Sequence, residues 1–148
     1  MRVIHVCLTM FFGAGLVHAS AMAATINVPA NQPTIQAGIN AAVNGDEVVI
    51  APGTYFEVIN FNGKNITVRS SGGPDVTTID GSGYGTSVVT CNSGELPDAV
   101  LEGLTITGGS AVNGGGMYIE DSWTTIRNCT FLNNAGSNGG GAVFTESY

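Results

Sequence analysis

Beyond residue 45 the apolar residues fall in short runs rich in Val, Ile and Thr, bounded by Gly, Asn, Ser, Pro or Asp. The runs are Val48-Val49-Ile50, Val58 to Phe61, Ile66-Thr67-Val68, Thr77-Thr78-Ile79, Val88-Val89-Thr90, Leu101 to Ile106, Met117-Tyr118-Ile119, Thr125-Ile126, Cys129-Thr130-Phe131 and Ala142-Val143-Phe144. Short β-branched runs at intervals of about ten residues predict an all-β chain. Ahead of them Thr25-Ile26-Asn27-Val28 alternates as a strand does, and one segment departs from the pattern. From Pro33 to Val43 the apolar residues Ile35, Ile39, Ala42 and Val43 stand at i, i+4, i+7 and i+8, a single helical stripe. Asn31 is the expected N-cap, Pro33 suits the first turn, and Asn44-Gly45 supplies a left-handed exit. One short helix at the start of such a chain is expected to cover an open end.

The strand pattern repeats. Asn113-Gly114-Gly115-Gly116 recurs as Asn138-Gly139-Gly140-Gly141, an offset of 25. At that offset Leu101 falls on Ile126, Leu104 on Cys129, Ile106 on Phe131, Ile119 on Phe144, Asp121 on Glu146, Ser122 on Ser147 and Trp123 on Tyr148. One coil earlier, Val76 falls on Leu101 and Ile79 on Leu104. Like residues over like residues at a fixed period mark a solenoid. A hexapeptide β-helix would need a six-residue period, which is absent. A leucine-rich repeat matches Leu101-x-x-Leu104-x-Ile106, but its helical return is opposed by three consecutive glycines, about 2.5–3 kcal/mol against alanine. The remaining solution is a right-handed parallel β-helix with coils of about 25 residues and a short N-terminal capping helix.

Composition narrows the function. Only 10% of the residues are charged and 22 are Gly, where about 25% charged is usual. Met1-Arg2, an apolar run from Val3 to Val17 and the small residues Ala19 to Ala23 read as a secretory signal peptide over residues 1–23. That run is shorter than the ~20 residues of a spanning helix, so no membrane span is expected after its removal. The mature domain, residues 24–148, then consists of a cap over 24–45 and coils over 46–148, the last one expected to be truncated or uncapped. It has lost both histidines and keeps three basic residues, Lys64, Arg69 and Arg127, against eleven acidic ones, a net charge of −8. Such a surface argues against nucleic acid, and the lack of histidine excludes Ser-His-Asp and Cys-His catalysis. Cys91 and Cys129 could form one disulfide, but both lie in apolar runs and read first as buried thiols serving as small apolar residues.

Two stretches resemble the pectin-lyase-like parallel β-helix superfamily. Gln32-Pro33-Thr34-Ile35-Gln36-Ala37-Gly38-Ile39-Asn40-Ala41-Ala42, followed by Gly45-Asp46-Glu47-Val48-Val49-Ile50-Ala51-Pro52-Gly53-Thr54-Tyr55-Phe56-Glu57, is similar to its N-terminal cap and first coil. Phe131-Leu132-Asn133-Asn134 and Gly140-Gly141-Ala142-Val143 resemble the repeats of polymorphic outer-membrane and autotransporter-type surface proteins. The resemblance implies a β-helix plugged by its helix and a secreted, cell-surface or outer-membrane-associated location. It leaves activity open, because this fold carries enzymes and adhesins alike.

Gly53-Thr54-Tyr55-Phe56-Glu57 matches a Gly-x-Tyr-x-Glu element of pectin methylesterases whose catalytic motifs are missing here, so a type II turn at Pro52-Gly53 is the expected role. A pectate-lyase-like site would take Lys64, Arg69 or Arg127 as base and calcium on clustered carboxylates. Glu120, Asp121 and Glu146 are the candidate calcium ligands, since carboxylates stacked at the ~4.8 Å coil spacing repel unless a cation joins them. No catalytic residue and no other cofactor is assigned. Trp123 and Tyr148 are the candidate ligand contacts, as aligned exposed aromatics stack on sugar rings. The sequons Asn65-Ile66-Thr67 and Asn128-Cys129-Thr130 lie in strand-like runs and are read as chance occurrences. The expected function is a secreted, non-catalytic β-helix module for surface attachment or contact with a polysaccharide or cell-surface glycan, with end-to-end self-association through the open coil. The second reading is a truncated polysaccharide lyase.

Overall fold

The structure, a computed structural model, describes residues 22–147; residues 1–21 of the segment 1–23 read as a signal peptide, and Tyr148, lie outside the described residues. The element order is β1 (Thr25–Val28), α1 (Ile35–Ala41), β2 (Glu47–Ile50), β3 (Gly53–Tyr55), β4 (Ile59–Asn60), β5 (Thr67–Ser70), β6 (Thr77–Asp80), β7 (Val89–Cys91), β8 (Val100–Glu102), β9 (Thr105–Thr107), β10 (Ser110–Ala111), β11 (Met117–Glu120), β12 (Thr125–Arg127), β13 (Thr130–Leu132), β14 (Ala135–Gly136) and β15 (Val143–Glu146). All pairings are parallel and join one coil to the next. Sheet I runs β1-β2-β5-β8-β12, sheet II β3-β6-β9-β13, sheet III β4-β7-β11-β15, and β10-β14 form a two-stranded ribbon. The chain is thus the expected right-handed parallel β-helix, a solenoid of about five turns.

Each sheet sends alternate residues inward, where they stack in ladders. Val48, Val68, Leu101 and Ile126 form one ladder, Tyr55, Ile79, Ile106 and Phe131 a second, and Ile59, Val89, Met117 and Val143 a third. The middle members of each are fully buried, while Ile126, Phe131 and Val143 of the last described coil are partly covered. Corners between sheets are turned by single left-handed residues. Gly103 (φ 68°) and Asn128 (φ 46°) share the corner from sheet I to II, and Gly108 (φ 72°) and Asn133 (φ 52°) the corner from II to III. Glycine and asparagine are the residues that tolerate this conformation. The next residue in the last coil, Asn134, reaches down one coil: its Oδ1 accepts from Gly109 N–H at 2.9 Å and its Nδ2 donates to Ile106 O at 2.9 Å. The Phe-x-x-Asn element therefore places one core residue and one inter-coil bridge.

The coils are less regular than the sequence suggests. Val48, Val68, Leu101 and Ile126 are separated by 20, 33 and 25 residues. Leu101 sits over Val68 and not Val76, and Ile79 pairs with Ile106 and not Leu104; the loops of that coil absorb the excess. The last coil also slips. Ser137 and Asn138 donate to Ala111 O and Val112 O in the 25-residue register, but Met117 pairs with Val143, an offset of 26. One extra residue is accommodated in the glycine run of that coil. Tyr118 therefore pairs with Phe144, their rings stacked 5.9 Å apart and 6° from parallel, and Ile119 pairs with Thr145.

The helix is shorter than expected and differently capped. Thr34, extended at φ −134° and ψ 160°, is the N-cap, and its Oγ1 accepts from Ala37 N–H at 3.1 Å. Asn31 instead closes the turn after β1, accepting from Asn27 N–H at 2.7 Å. Val43 lies beyond the helix and is exposed. Two charged side chains of the first full coil hold the helix ends. Glu57 accepts from Ile35 N–H and Gln36 N–H, both at 2.9 Å, and Lys64 Nζ donates to Ile39 O, Asn40 O and Ala42 O at 2.7–2.8 Å. Negative charge at a helix N-terminus and positive charge at its C-terminus both favour the dipole. Gly38 allows close approach, since a Cβ there would lie 2.8 Å from Val48 Cγ1. The Gly-x-Tyr-x-Glu element is thus structural: Gly53, at φ 155°, opens β3 and does not make the expected type II turn, Tyr55 Oη donates to Ala51 O at 2.9 Å, and Glu57 caps the helix.

Candidate functional site

The corner where sheet III passes to sheet I is built on a buried carboxylate. Residues 92–99 join β7 to β8, and within them Glu95 is fully buried. Its Oε1 accepts from Gly63 N–H of the coil below at 2.8 Å. Its Oε2 accepts from Ser93 N–H at 3.0 Å and from the Ser122 hydroxyl of the coil above at 2.7 Å. One side chain therefore ties three successive coils at this corner. Burial pushes the Glu95 carboxyl up, but the hydrogen bonds from Ser93, Ser122 and Gly63 together outweigh burial and hold it below the usual carboxylate range. A sequence reading misses Glu95, because an acidic residue in a polar loop gives no sign of being buried.

Glu95 also positions Trp123. Trp123 N–H donates to Glu95 O at 2.8 Å, while the indole stands 61% exposed. Beside it is a shallow depression of about 300 Å³, lined by Ser122, Thr124, Thr145, Glu146 and Ser147 among others. An exposed aromatic face bordered by hydroxyls and a carboxylate offers both an apolar platform and hydrogen-bonding partners. Tyr148, the other expected ligand contact, lies outside the described residues.

The three candidate calcium ligands are only partly brought together. The one-residue slip pairs Glu120 with Glu146, in place of the expected Asp121 with Glu146. Asp121 follows the strand in a left-handed conformation, φ 45°, and donates its N–H to Glu146 O at 3.0 Å. Among the described residues no three Asp, Glu, Cys or His side chains form a group able to hold a metal ion. Tyr118 shares this outer face of sheet III; its burial and then the Glu120 carboxylate, to which it hydrogen-bonds, push its phenol up.

Two cations of the lyase reading have structural engagements, and the third is exposed on sheet I. Lys64 is held by the helix carbonyls, Arg69 pairs with Glu47 at 3.1 Å, and Arg127 is in register with Glu102 on sheet I. Both cysteines are free. Burial pushes the Cys91 thiol up to about 12, and Cys129 is half-buried, its thiol also raised by burial. Among the described residues no helix is long and apolar enough to cross a membrane.

No protein-family model, curated protein or solved structure matches the chain. The class is defined by its geometry: a helix-capped parallel β-solenoid with an exposed tryptophan at a stapled corner.

Proposed function

We propose that the chain is a secreted, non-catalytic β-helix module that contacts polysaccharide or a surface glycan at the corner between sheets III and I. The observation that carries the reading is Trp123, whose indole is 61% exposed while its backbone is fixed through Glu95. Exposing so large an apolar ring forgoes a burial gain of roughly 1.5–3 kcal/mol for a large side chain, and fixing it beforehand reduces the ordering cost of binding. The hydroxyls and Glu146 bordering the depression suit the rim of a sugar ring. The resemblance to surface β-helix proteins and the leader-like start support the secreted location.

A glycan array followed by titration calorimetry tests the reading. At least one immobilised polysaccharide is expected to bind, and Trp123→Ala is expected to weaken it tenfold or more with an unchanged melting temperature. Equal binding by the parent and Trp123→Ala would defeat it. Incubation with polygalacturonate and calcium separates the lyase reading, since only a lyase releases ultraviolet-absorbing unsaturated uronides.

A further inference from the structure

The same corner carries a second depression nearer the capped end, about 460 Å³, lined by Asn44, Gly45, Asn65, Thr67 and Asp98. Its size falls within the roughly 300–1,000 Å³ of small-molecule sites. Its two amides are fixed before any ligand arrives. Asn44 Oδ1 accepts from Asn65 N–H at 3.0 Å, and Asn65 Oδ1 accepts from Leu96 N–H at 2.7 Å. Because a backbone donor must face the amide oxygen, these contacts set which way each amide is turned. The Nδ2 groups lie on the other branch of each amide and have no partner among the described residues.

Asp98 adds an exposed carboxylate and Thr67 a hydroxyl. Two oriented NH₂ donors, an acceptor-only carboxylate and a hydroxyl complement groups that both donate and accept, and alcohols are such groups. Two adjacent hydroxyls can each donate to one oxygen of the carboxylate while their own oxygens accept from the amides. The lining contains no cation. Arg69, two residues beyond Thr67 on β5, is paired with Glu47, so a carboxylated sugar would bring its charge against Asp98 without compensation.

We infer that this depression is a binding site for a neutral sugar unit carrying a vicinal diol, which makes the ligand of the corner a neutral polysaccharide and not a polyuronate. The inference rests on the glycan reading above and names its substrate class. The two depressions are linked through consecutive coils: Asn65 holds Leu96 N–H, and Glu95 O holds Trp123 N–H. About two coils at ~4.8 Å each separate them, roughly 10 Å, a span for an oligosaccharide running along the solenoid axis.

The test is calorimetric titration of the whole chain with cellohexaose, mannohexaose and hexagalacturonate. Asn65→Asp keeps an acceptor for Leu96 N–H while removing the NH₂ donor, and Asp98→Ala removes an exposed carboxylate that the fold does not use. At least one neutral hexamer is expected to bind, hexagalacturonate is not, and each variant is expected to weaken the neutral ligand about tenfold or more, the loss of one charge-assisted or oriented hydrogen bond, with the melting temperature of Asp98→Ala unchanged. If Trp123→Ala abolishes binding while Asn65→Asp and Asp98→Ala leave it intact, this site is overturned and the glycan reading survives. Hexagalacturonate binding as tightly as the neutral hexamers overturns the neutral class. Failure of both neutral hexamers to bind overturns this site, and the glycan reading falls with it only if the glycan array also shows no binding.

Discussion

Lys64→Met isolates the charge that holds the capping helix, because methionine keeps an unbranched apolar stem and discards the ammonium. The parent Nζ makes three donations, at 2.7, 2.8 and 2.8 Å, to carbonyls of the last helical turn and its C-cap. Hydrogen bonds from a charged group contribute about 1.5–3 kcal/mol each where water is excluded, but Asn40 is exposed and its carbonyl regains water in the variant. A partly buried cation at a helix C-terminus contributes up to about 2 kcal/mol, and we take about 2 kcal/mol as the net loss. For a domain of this size that lowers the melting temperature by roughly 6–8 °C, readable by circular dichroism. Glu57→Gln, at the other end of a helix about 10 Å long, keeps one acceptor and is expected to cost about 1 kcal/mol. The two ends share no partner, so the double variant should be additive within about 0.5 kcal/mol. A melting temperature for Lys64→Met within 2 °C of the parent would refute the argument that Lys64 anchors the cap.

Three further outcomes follow from the corner, the core and the ladders. Glu95 has a lowered carboxyl pKa in the folded state, so its contribution is complete above the ordinary value of 4.5 and is lost as pH falls through the folded value; thermal melts should hold level above about pH 5 and decline below it, and Glu95→Gln should flatten that decline while costing about 2–3 kcal/mol at neutral pH. Cys91, buried and with its thiol pushed up to about 12, should resist iodoacetamide at pH 8 until the chain unfolds; rapid native alkylation seen by peptide mass mapping would contradict its placement. Ile106→Ala, in the fully buried middle of a ladder, should cost about 2–5 kcal/mol, measured by urea denaturation, whereas the same change at the partly covered Ile126 of the last described coil should cost clearly less.

What the sequence discloses and what it conceals divide along physical lines. Inward ladders are readable because burial demands like residues at like positions, which is why the sequence repeat and the structure agree on Leu101 with Ile126 and Ile106 with Phe131. Loop length is not under that constraint. The 33-residue step from Val68 to Leu101 breaks a 25-residue template, which puts Val76 in the ladder where Val68 belongs. The slip in the last coil was hidden for a different reason: the glycine runs match in sequence while their hydrogen bonds do not, so Glu146 faces Glu120. Asn31 looked like a cap because its side chain suits one, yet Thr34 stands immediately before the first helical residue. At the candidate site, Trp123 was visible as an aromatic among polar residues. The Glu95 staple and the Asn44–Asn65 amide pair were not, since each is made by loops 20 or more residues apart in the chain.

The clamped helix gives the solenoid a direction. In a stack held by nearest-neighbour contacts, each coil is as secure as the coils that flank it. Coils beside α1 are covered by the helix and joined by Glu57, Lys64 and Glu95, whereas among the described residues β12, β13, β14 and β15 each pair on one side. The Asn44–Asn65 amides therefore lie among coils tied to one another and to the helix, while the Trp123 depression takes its Thr145–Ser147 wall from the last described coil. Of the two depressions along one corner, the one nearer the helix thus shares its coils with the cap, and the tryptophan end depends on the Glu95 staple.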